Sequence, residues 1–265
     1  MKIYIKELFR KLKLMFLYDK FIYLFMRIKN YNKNYIFKKN NPLVKLPPDY
    51  IMFESFGMNY KEFYLGGIDT AKSLINYFNK YKNLQDSNIL EWGCGPARII
   101  RHFPNLINQN CYYFGTDYNS KTINWCKKNI KNINFEINAI DPPLNYTDNF
   151  FDIIFGISVF THLSEHNYHK WFDELLRITK PNGIILITTH GYETRMHLNS
   201  NEKEKFKKGN LITKSNTLEG HRTFLSYAPE IFMKKLLQEK SKILYHKPGQ
   251  IREWGIEKDL WIIKK

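Results

Sequence analysis

The sequence predicts a doubly wound α/β domain built on a largely parallel sheet. From Asn88 onward, apolar strand-like runs alternate with helical patterns, the arrangement that βα units produce. The first run turns sharply at Gly93-Cys94-Gly95, as a strand does when it passes straight into a helix. The second ends on an acid, Asp117.

Taken from the start of the chain, Met1–Asn30 is strongly apolar but interrupted by charge. Its longest uncharged runs, Leu14–Tyr18 and Phe21–Met26, fall far short of the roughly 20 residues that span a bilayer, and no small-residue cleavage site follows an apolar core. Lys6, Lys13, Lys20 and Arg27 recur at every seventh position, with Lys2 and Arg10 nearby. They line one side of a helix that Phe9, Leu12, Phe16 and Tyr23 otherwise cover. Such a helix is expected either to lie on an anionic membrane surface or to pack on its own domain or on a second subunit of a homodimer, with the lysines as a solvated edge. Residues 30–48, polar and then proline-bearing, read as a connector. The division is therefore an extension over 1–48 and a main domain over 49–265.

Ile68–Tyr81 is expected to be helical, with Phe63-Tyr64-Leu65-Gly66-Gly67 leading into it. Asn88–Trp92 reads as the first strand and Ala97–Phe103 as a helix stopped by Pro104. Cys111–Thr116 is the second strand, followed by a helix over Asn119–Ile130 with Asn119 or Ser120 as its N-cap. Ile133–Asn138 and Phe151–Val159 give two more strands, the latter apolar enough to be buried on both faces. A helix over Glu165–Thr179, a turn at Pro181-Asn182-Gly183 and a strand over Ile184–Thr189 come next. Residues 191–220, polar and charged, read as an insertion or lid. Pro229–Lys240 is helical, and Lys242–Tyr245 closes against Asp259–Ile263 as an antiparallel pair.

Over 265 residues, 43% hydrophobic and 25% charged is the mix of an ordinary globular protein, and 16% aromatics supply the core. The formal net charge of +16 is uneven, because residues 1–41 hold eleven Lys/Arg against Glu7 and Asp19. That excess suits nucleic acid, anionic lipid or an acidic substrate and does not choose among them. Cys94, Cys111 and Cys126 form no CxxC pair and no metal spacing with histidine, which fits a reducing cytoplasm better than a disulfide scaffold.

The chemistry concentrates in Ile89-Leu90-Glu91-Trp92-Gly93-Cys94-Gly95-Pro96-Ala97-Arg98. Glycines at such a turn let a cofactor approach the backbone. A dinucleotide site would want glycine or alanine at position 98, where this chain has arginine. Glu91, two residues before the first glycine, suits a cationic group better than a pyrophosphate, directly or through water. Asp117 stands where a carboxylate accepts both ribose hydroxyls. On these residues the chain resembles the class I S-adenosylmethionine-dependent methyltransferases, of the bacterial small-molecule and glycan type. The likeness continues through GTDYNS, EINAIDPPL and FDIIFGISVFTHL to ITKPNGIILITTHG.

That resemblance implies a Rossmann-like sheet of seven strands, the last antiparallel, with S-adenosylmethionine as cofactor. Carried across position by position, it implies that Gly93 and Gly95 line the cofactor and that Asp117 holds the ribose. Tyr118 would flank the adenine, while Asn138 and the Ala139 backbone read its amino edge. Arg98 and Ser158 belong to the same set. Ala97 stands where a third glycine is frequent, and Asn138 where aspartate is commoner. Tyr64 is expected to meet the methionine carboxylate or the sulfonium, with Gly67 permitting close approach. The alternative for Tyr64 is a core tyrosine beside a turn, and for the whole site a degenerate nucleotide fold that binds nothing.

Methyl transfer needs alignment and exclusion of water, and an oxygen or nitrogen acceptor also needs a base. His162 follows the fourth strand and His190 the fifth, both at carboxyl ends of the sheet, where acceptor-side residues sit. His221 and Tyr227 are weaker candidates, and each histidine has a bland alternative as a helix cap or loop residue. Asp141-Pro142-Pro143-Leu144 precedes the fourth strand and ends in leucine, which argues against a DNA base as acceptor. His166, His169 and Asp173 lie on a helix whose other face is core, and no metal is needed to explain them. The SVFTHL and TTHG elements resemble enzymes of bacterial glycan and secondary-metabolite synthesis, which implies a hydroxyl of a sugar, a capsule-type glycan precursor or another small polar acceptor. An RNA acceptor would draw on the positive charge, although no RNA-binding module is appended. A non-catalytic, cofactor-binding partner of another transferase is the third reading.

Overall fold

The computed structural model describes residues 8–265, so Lys2 and Lys6 of the basic stripe lie outside the described residues. The chain divides into two compact units, with the boundary between Asn138 and Ala139.

In the first unit residues 8–11 are helical, a break at Lys13 (φ 57°) interrupts the single helix expected over Met1–Asn30, and helix α1 (Met15–Asn40) then continues ten residues beyond the end expected for it. The polar stretch that reads as a connector is a docking face. The Asn34 side chain donates to the Met58 carbonyl (2.7 Å) and accepts from the Tyr60 N–H (3.0 Å), and Phe37 packs on the Tyr64 ring. Arg27 pairs with Asp49 at 3.0 Å. The connector shrinks to residues 41–48, and the chain on both sides of Pro48 belongs to one unit. Helix α2 (Asp49–Ser55) comes next, then α3 (Tyr60–Asn79) with Asn59 as its N-cap.

Helix α3 therefore starts eight residues earlier than expected, and Phe63–Gly67 lies inside it. Gly66 and Gly67 are not a turn. A Cβ on Gly67 would stand 2.4 Å from the Arg98 carbonyl oxygen, so glycine here lets the helix close onto the chain at Arg98–His102. Gly67→Ala is expected to lower the thermal unfolding midpoint by roughly 4–10 °C through overpacking. An unchanged midpoint by circular dichroism would disprove that contact.

Strand β1 (Asn88–Trp92) pairs in parallel with β2 (Tyr112–Asp117), and β2 with β3 (Asn134–Ile137). Between β1 and β2 a 3-10 turn, Ile100–His102, leads into the short α4 (Phe103–Leu106). Pro104 starts this helix and does not stop one, because the first turn needs no N–H at that position. Helix α5 (Ser120–Asn129) is capped by Asn119, which accepts from the Thr122 N–H.

In the second unit β4 (Phe151–Gly156) is buried at every position. It pairs in parallel with β5 (Thr179–Thr189), whose register jumps from Phe151↔Thr179 to Ile153↔Ile184. The expected Pro181-Asn182-Gly183 turn is thus an irregularity within a longer strand, with Asn182 at φ 63°. Helix α6 (Glu165–Ile178) lies between them in sequence. The stretch read as insertion or lid is structured: a 3-10 turn over Tyr192–His197, α7 (Ser200–Lys207) and β6 (Ile212–Lys214). Strand β6 pairs with β7 (Leu225–Tyr227), and Leu198, Phe206, Ile212 and Tyr227 form a core of their own. Glu219 fastens its far end, accepting from the Ser164 N–H (2.6 Å) and the Asn167 side chain (3.0 Å) at the start of α6.

Helix α8 (Glu230–Gln238), β8 (Lys242–Lys247), the short β9 (Ile251–Arg252) and β10 (Gly255–Ile256), and β11 (Asp259–Lys264) complete the chain. Strand β11 runs antiparallel between β5 and β8, with Trp261 stacked on His246 and Asp259 bonded to His246 and the Gly249 N–H. The main sheet has seven strands in the order β3-β2-β1-β4-β5-β11-β8, a doubly wound, Rossmann-like order with the last strand of the chain antiparallel, as the sequence implies.

Candidate functional site

The glycine turn after β1 is held open by two carboxylates. Gly93 and Gly95 have φ of 70° and 49°, and Ala97 is forced to 55°, a left-handed conformation that an L side chain adopts at a cost of about 1–2 kcal/mol. The frequent third glycine would sit there without that strain. Asp117, half-buried at the end of β2, accepts from the Gly95 N–H (2.9 Å) through one oxygen and from the Asn119 N–H (2.8 Å) through the other. Each oxygen keeps a further lone pair for a ligand. Burial raises the Asp117 pKa, and those two N–H groups oppose the rise.

Glu91 is buried on β1 and accepts from the Ile100 N–H (2.9 Å), so it braces the far end of the same loop. Burial pushes its carboxyl up to about 8, against the pull of the Ile100 N–H and the Arg98 charge. The Asn138 backbone N–H donates to the Asp117 carbonyl at 3.2 Å, which sets Asn138 just beyond that acid. Tyr118 comes directly after Asp117, and burial raises its phenol to about 12.

Three positions chosen from the sequence take other duties here. The Arg98 guanidinium lies 4.6 Å over the Phe56 ring and reaches Thr70 Oγ1 at 3.4 Å, so it ties the loop to the N-terminal helices. Tyr64 sits on α3, edge-on to His102 at 5.0 Å and under Arg101, which is the core-tyrosine alternative. Gly67 serves helix packing. In exchange, the end of α2 is a cover that sequence reasoning missed. Ser55 is near enough that a Cβ on Gly95 would lie 3.1 Å from its own, and Glu54 accepts from the Asn119 side chain. No motif marks these residues; only the approach of α2 to the loop reveals them.

In the second unit, Ala139 is exposed and Ser158 ends the loop after β4 at φ 69°. The Ser158 N–H donates to Thr188 Oγ1 (2.8 Å), and its carbonyl accepts from Thr161. A left-handed serine fixed from both sides is the kind of strain that functional loops keep.

His162 and His190 share one anchor. His162 Nδ1 meets the Phe224 carbonyl at 2.7 Å, just before β7, and His190 Nδ1 meets the Ser226 carbonyl within it at 3.0 Å. With Nδ1 donating, Nε2 of each ring is the lone-pair nitrogen. Burial lowers the His162 pKa to about 4 and, although the Phe224 carbonyl opposes this, the nearby Lys258, His221 and Arg222 press it down further. His190 is driven well below its ordinary value, first by burial and then by Lys258. Asp259 pairs with Thr189, so Lys258 and His190 occupy the same end of that strand pair. Tyr227 stacks on His190 at 5.3 Å, and His221 bonds Thr223. Among the described residues no group of acids, histidines and cysteines has the makings of a metal site. Asp173 pairs with Lys240, and His169 packs edge-on to Phe232.

A family model described as a methyltransferase domain matches residues 83–249. A tRNA (carboxymethyluridine(34)-5-O)-methyltransferase of Arabidopsis thaliana is 32% identical over 108 residues, 40% of this chain and 25% of that protein. The phosphoethanolamine N-methyltransferase of Plasmodium falciparum is 27% identical over 191 residues, 70% of this chain and 68% of that one. This chain thus spans a quarter of the first relative and about two thirds of the second. Among solved structures, Burkholderia thailandensis 1,6-didemethyltoxoflavin-N1-methyltransferase, with bound 1,6-didemethyltoxoflavin and S-adenosylhomocysteine, superposes with a TM-score of 0.53 at 11% identity, covering 75% of this chain and 78% of that one.

Proposed function

The chain belongs to the methyltransferase-domain family and is an S-adenosylmethionine-dependent enzyme; from that premise we propose that it methylates a hydroxyl of a small polar acceptor bearing negative charge, of the sugar or surface-glycan precursor type. The observation that carries the proposal is the pair of histidines anchored on the Phe224 and Ser226 carbonyls amid Lys258 and Arg222.

The residues present fit the cofactor. Gly93 and Gly95 put no side chain at two positions of the loop, and Asp117 has acceptor capacity left for two ribose hydroxyls. When bound, S-adenosylmethionine supplies an electrophilic methyl group on a sulfonium, which needs alignment with its acceptor more than it needs further activation. Glu91 places a carboxyl beneath the loop for the cationic amino acid end, Tyr118 flanks the adenine and Asn138 reads its amino edge. On the acceptor side, neutral Nε2 of His162 or His190 takes the hydroxyl proton. Lys258 favours the developing alkoxide and draws in an anionic acceptor. Such an acceptor also raises the pKa of both rings, making each a stronger base only when the substrate is in place. Three cysteines, none of them in a disulfide, suit a reducing cytoplasm, where we place the reaction.

The tRNA enzyme among the relatives motivates a second reading, an RNA acceptor, although the likeness covers only 108 residues. Calorimetric titration with S-adenosylmethionine and S-adenosylhomocysteine, followed by acceptor panels of anionic sugars and of tRNA, tests both. Because the Glu91 carboxyl holds its proton up to about pH 8, a cation settling beside it expels that proton. Binding at neutral pH is therefore expected to release a proton and to tighten as pH rises toward 8, and Glu91→Gln is expected to abolish both effects. Folded protein that binds neither ligand would overturn the cofactor assignment. Binding without proton release would restrict Glu91 to bracing the loop.

A further inference from the structure

Helix α1 has two faces of opposite bearing. One is fastened to its own unit through Met15, Asn34 and Phe37, which are buried, and through the Arg27–Asp49 pair. The other carries Leu17, Phe21, Leu24, Ile28, Tyr31 and Tyr35 into solvent, with Phe21 67% and Ile28 77% exposed. At 100° per residue these side chains, with Phe25 and Ile36, cover an arc of roughly 140° along a helix of about 39 Å. A patch of that size left in water marks an interaction surface.

Its charge decides what covers it. Lys20 and Lys38 stand along one margin of the apolar arc and Lys29 and Lys33 along the other, all exposed. The one acid between Leu8 and Asn40 is Asp19, which is buried. The spacing of Leu17, Phe21, Leu24, Ile28, Tyr31 and Tyr35 would suit a paired helix. A second copy would, however, bring basic margins against basic margins, with no acid to match them. No helix among the described residues is long and apolar enough to cross a membrane, so α1 can lie on a bilayer but not span it.

We propose that α1 seats the chain on an anionic lipid surface, with the Phe21–Ile28 face in the headgroup boundary and its marginal lysines among the lipid phosphates. The enzyme thereby works where lipid-carried acceptors are presented, although the seat does not depend on the acceptor's identity.

The test uses the full chain and sedimentation with vesicles of phosphatidylcholine alone or mixed with phosphatidylserine. Binding is expected only with phosphatidylserine, weakening steeply with salt. Phe21→Ser with Ile28→Ser is expected to reduce partitioning roughly 100-fold. Gln at Lys20, Lys29 and Lys33 is expected to reduce it about 5-fold per charge. All these positions are exposed, so S-adenosylmethionine binding by each variant is expected to stay unchanged and verifies that the fold is intact. No sedimentation with anionic vesicles, or equal binding by the Phe21/Ile28 variant, overturns the proposal. A wild-type dimer that this variant dissolves, in a chain that ignores vesicles, assigns the face to a second copy instead.

Discussion

Asp117→Ala is expected to weaken S-adenosylmethionine binding by roughly 10²–10³-fold, about 3–4 kcal/mol. The carboxylate does two things at once, and the size of the effect reflects both. It holds the Gly95 N–H at 2.9 Å and the Asn119 N–H at 2.8 Å, so it shapes the glycine loop before any ligand arrives. In the proposed site it also offers its remaining lone pairs to two ribose hydroxyls. Alanine removes both the tether and the acceptor and leaves the Gly95 N–H without its partner. Asp117→Asn keeps one oxygen and turns an amide N–H toward a backbone N–H, and so is expected to fall between the two, near 10-fold. Calorimetry on variants shown by circular dichroism to be folded separates the outcomes. Near-wild-type affinity in the alanine variant would leave Asp117 as a loop tether alone.

Where a structural feature depends on neighbouring residues, it is legible in the sequence. The β1 turn, the acid ending β2 and the antiparallel closing pair were all legible, because strand composition, glycine and the strand-end acid lie within a few positions of one another. What failed was non-local. Asn34 looked like linker because it is polar, yet it is buried between the Met58 carbonyl and the Tyr60 N–H, 24 and 26 residues away. Gly67 looked like a turn because glycine usually is one, whereas the approach of Arg98 is what requires it. Strands of three residues such as β6 and β7 carry too few side chains to show a period. That miss concealed the most informative feature of the acceptor side. His162 and His190 stood out as strand-end histidines, but their common anchor spans 62 and 36 residues.

Replacing that pair is expected to leave the cofactor bound and the reaction slow. His162→Gln and His190→Gln, made separately, are expected to lower kcat by about 10²–10⁴-fold for the residue acting as base, with S-adenosylmethionine affinity unchanged. The pH dependence is the sharper test. A base works deprotonated, and burial holds His162 neutral down to about pH 4. The acid limb of kcat/KM for the acceptor, measured on enzyme saturated with S-adenosylmethionine, is therefore expected near pH 4 rather than at the ordinary histidine value of about 6.5. An anionic acceptor raises the ring pKa, so the limb of kcat is expected at higher pH than that of kcat/KM, and a neutral acceptor analogue should remove the difference. The fold responds with the same sign. The unfolded chain takes up protons on these histidines near pH 6.5, whereas the folded chain does so only near pH 4 for His162 and His102. Stability therefore falls as pH drops through that window, and rates must be read from protein still folded. Full activity in both variants would remove the histidines from the chemistry. A limb at 6.5 that neither substitution moves would assign the base to another group.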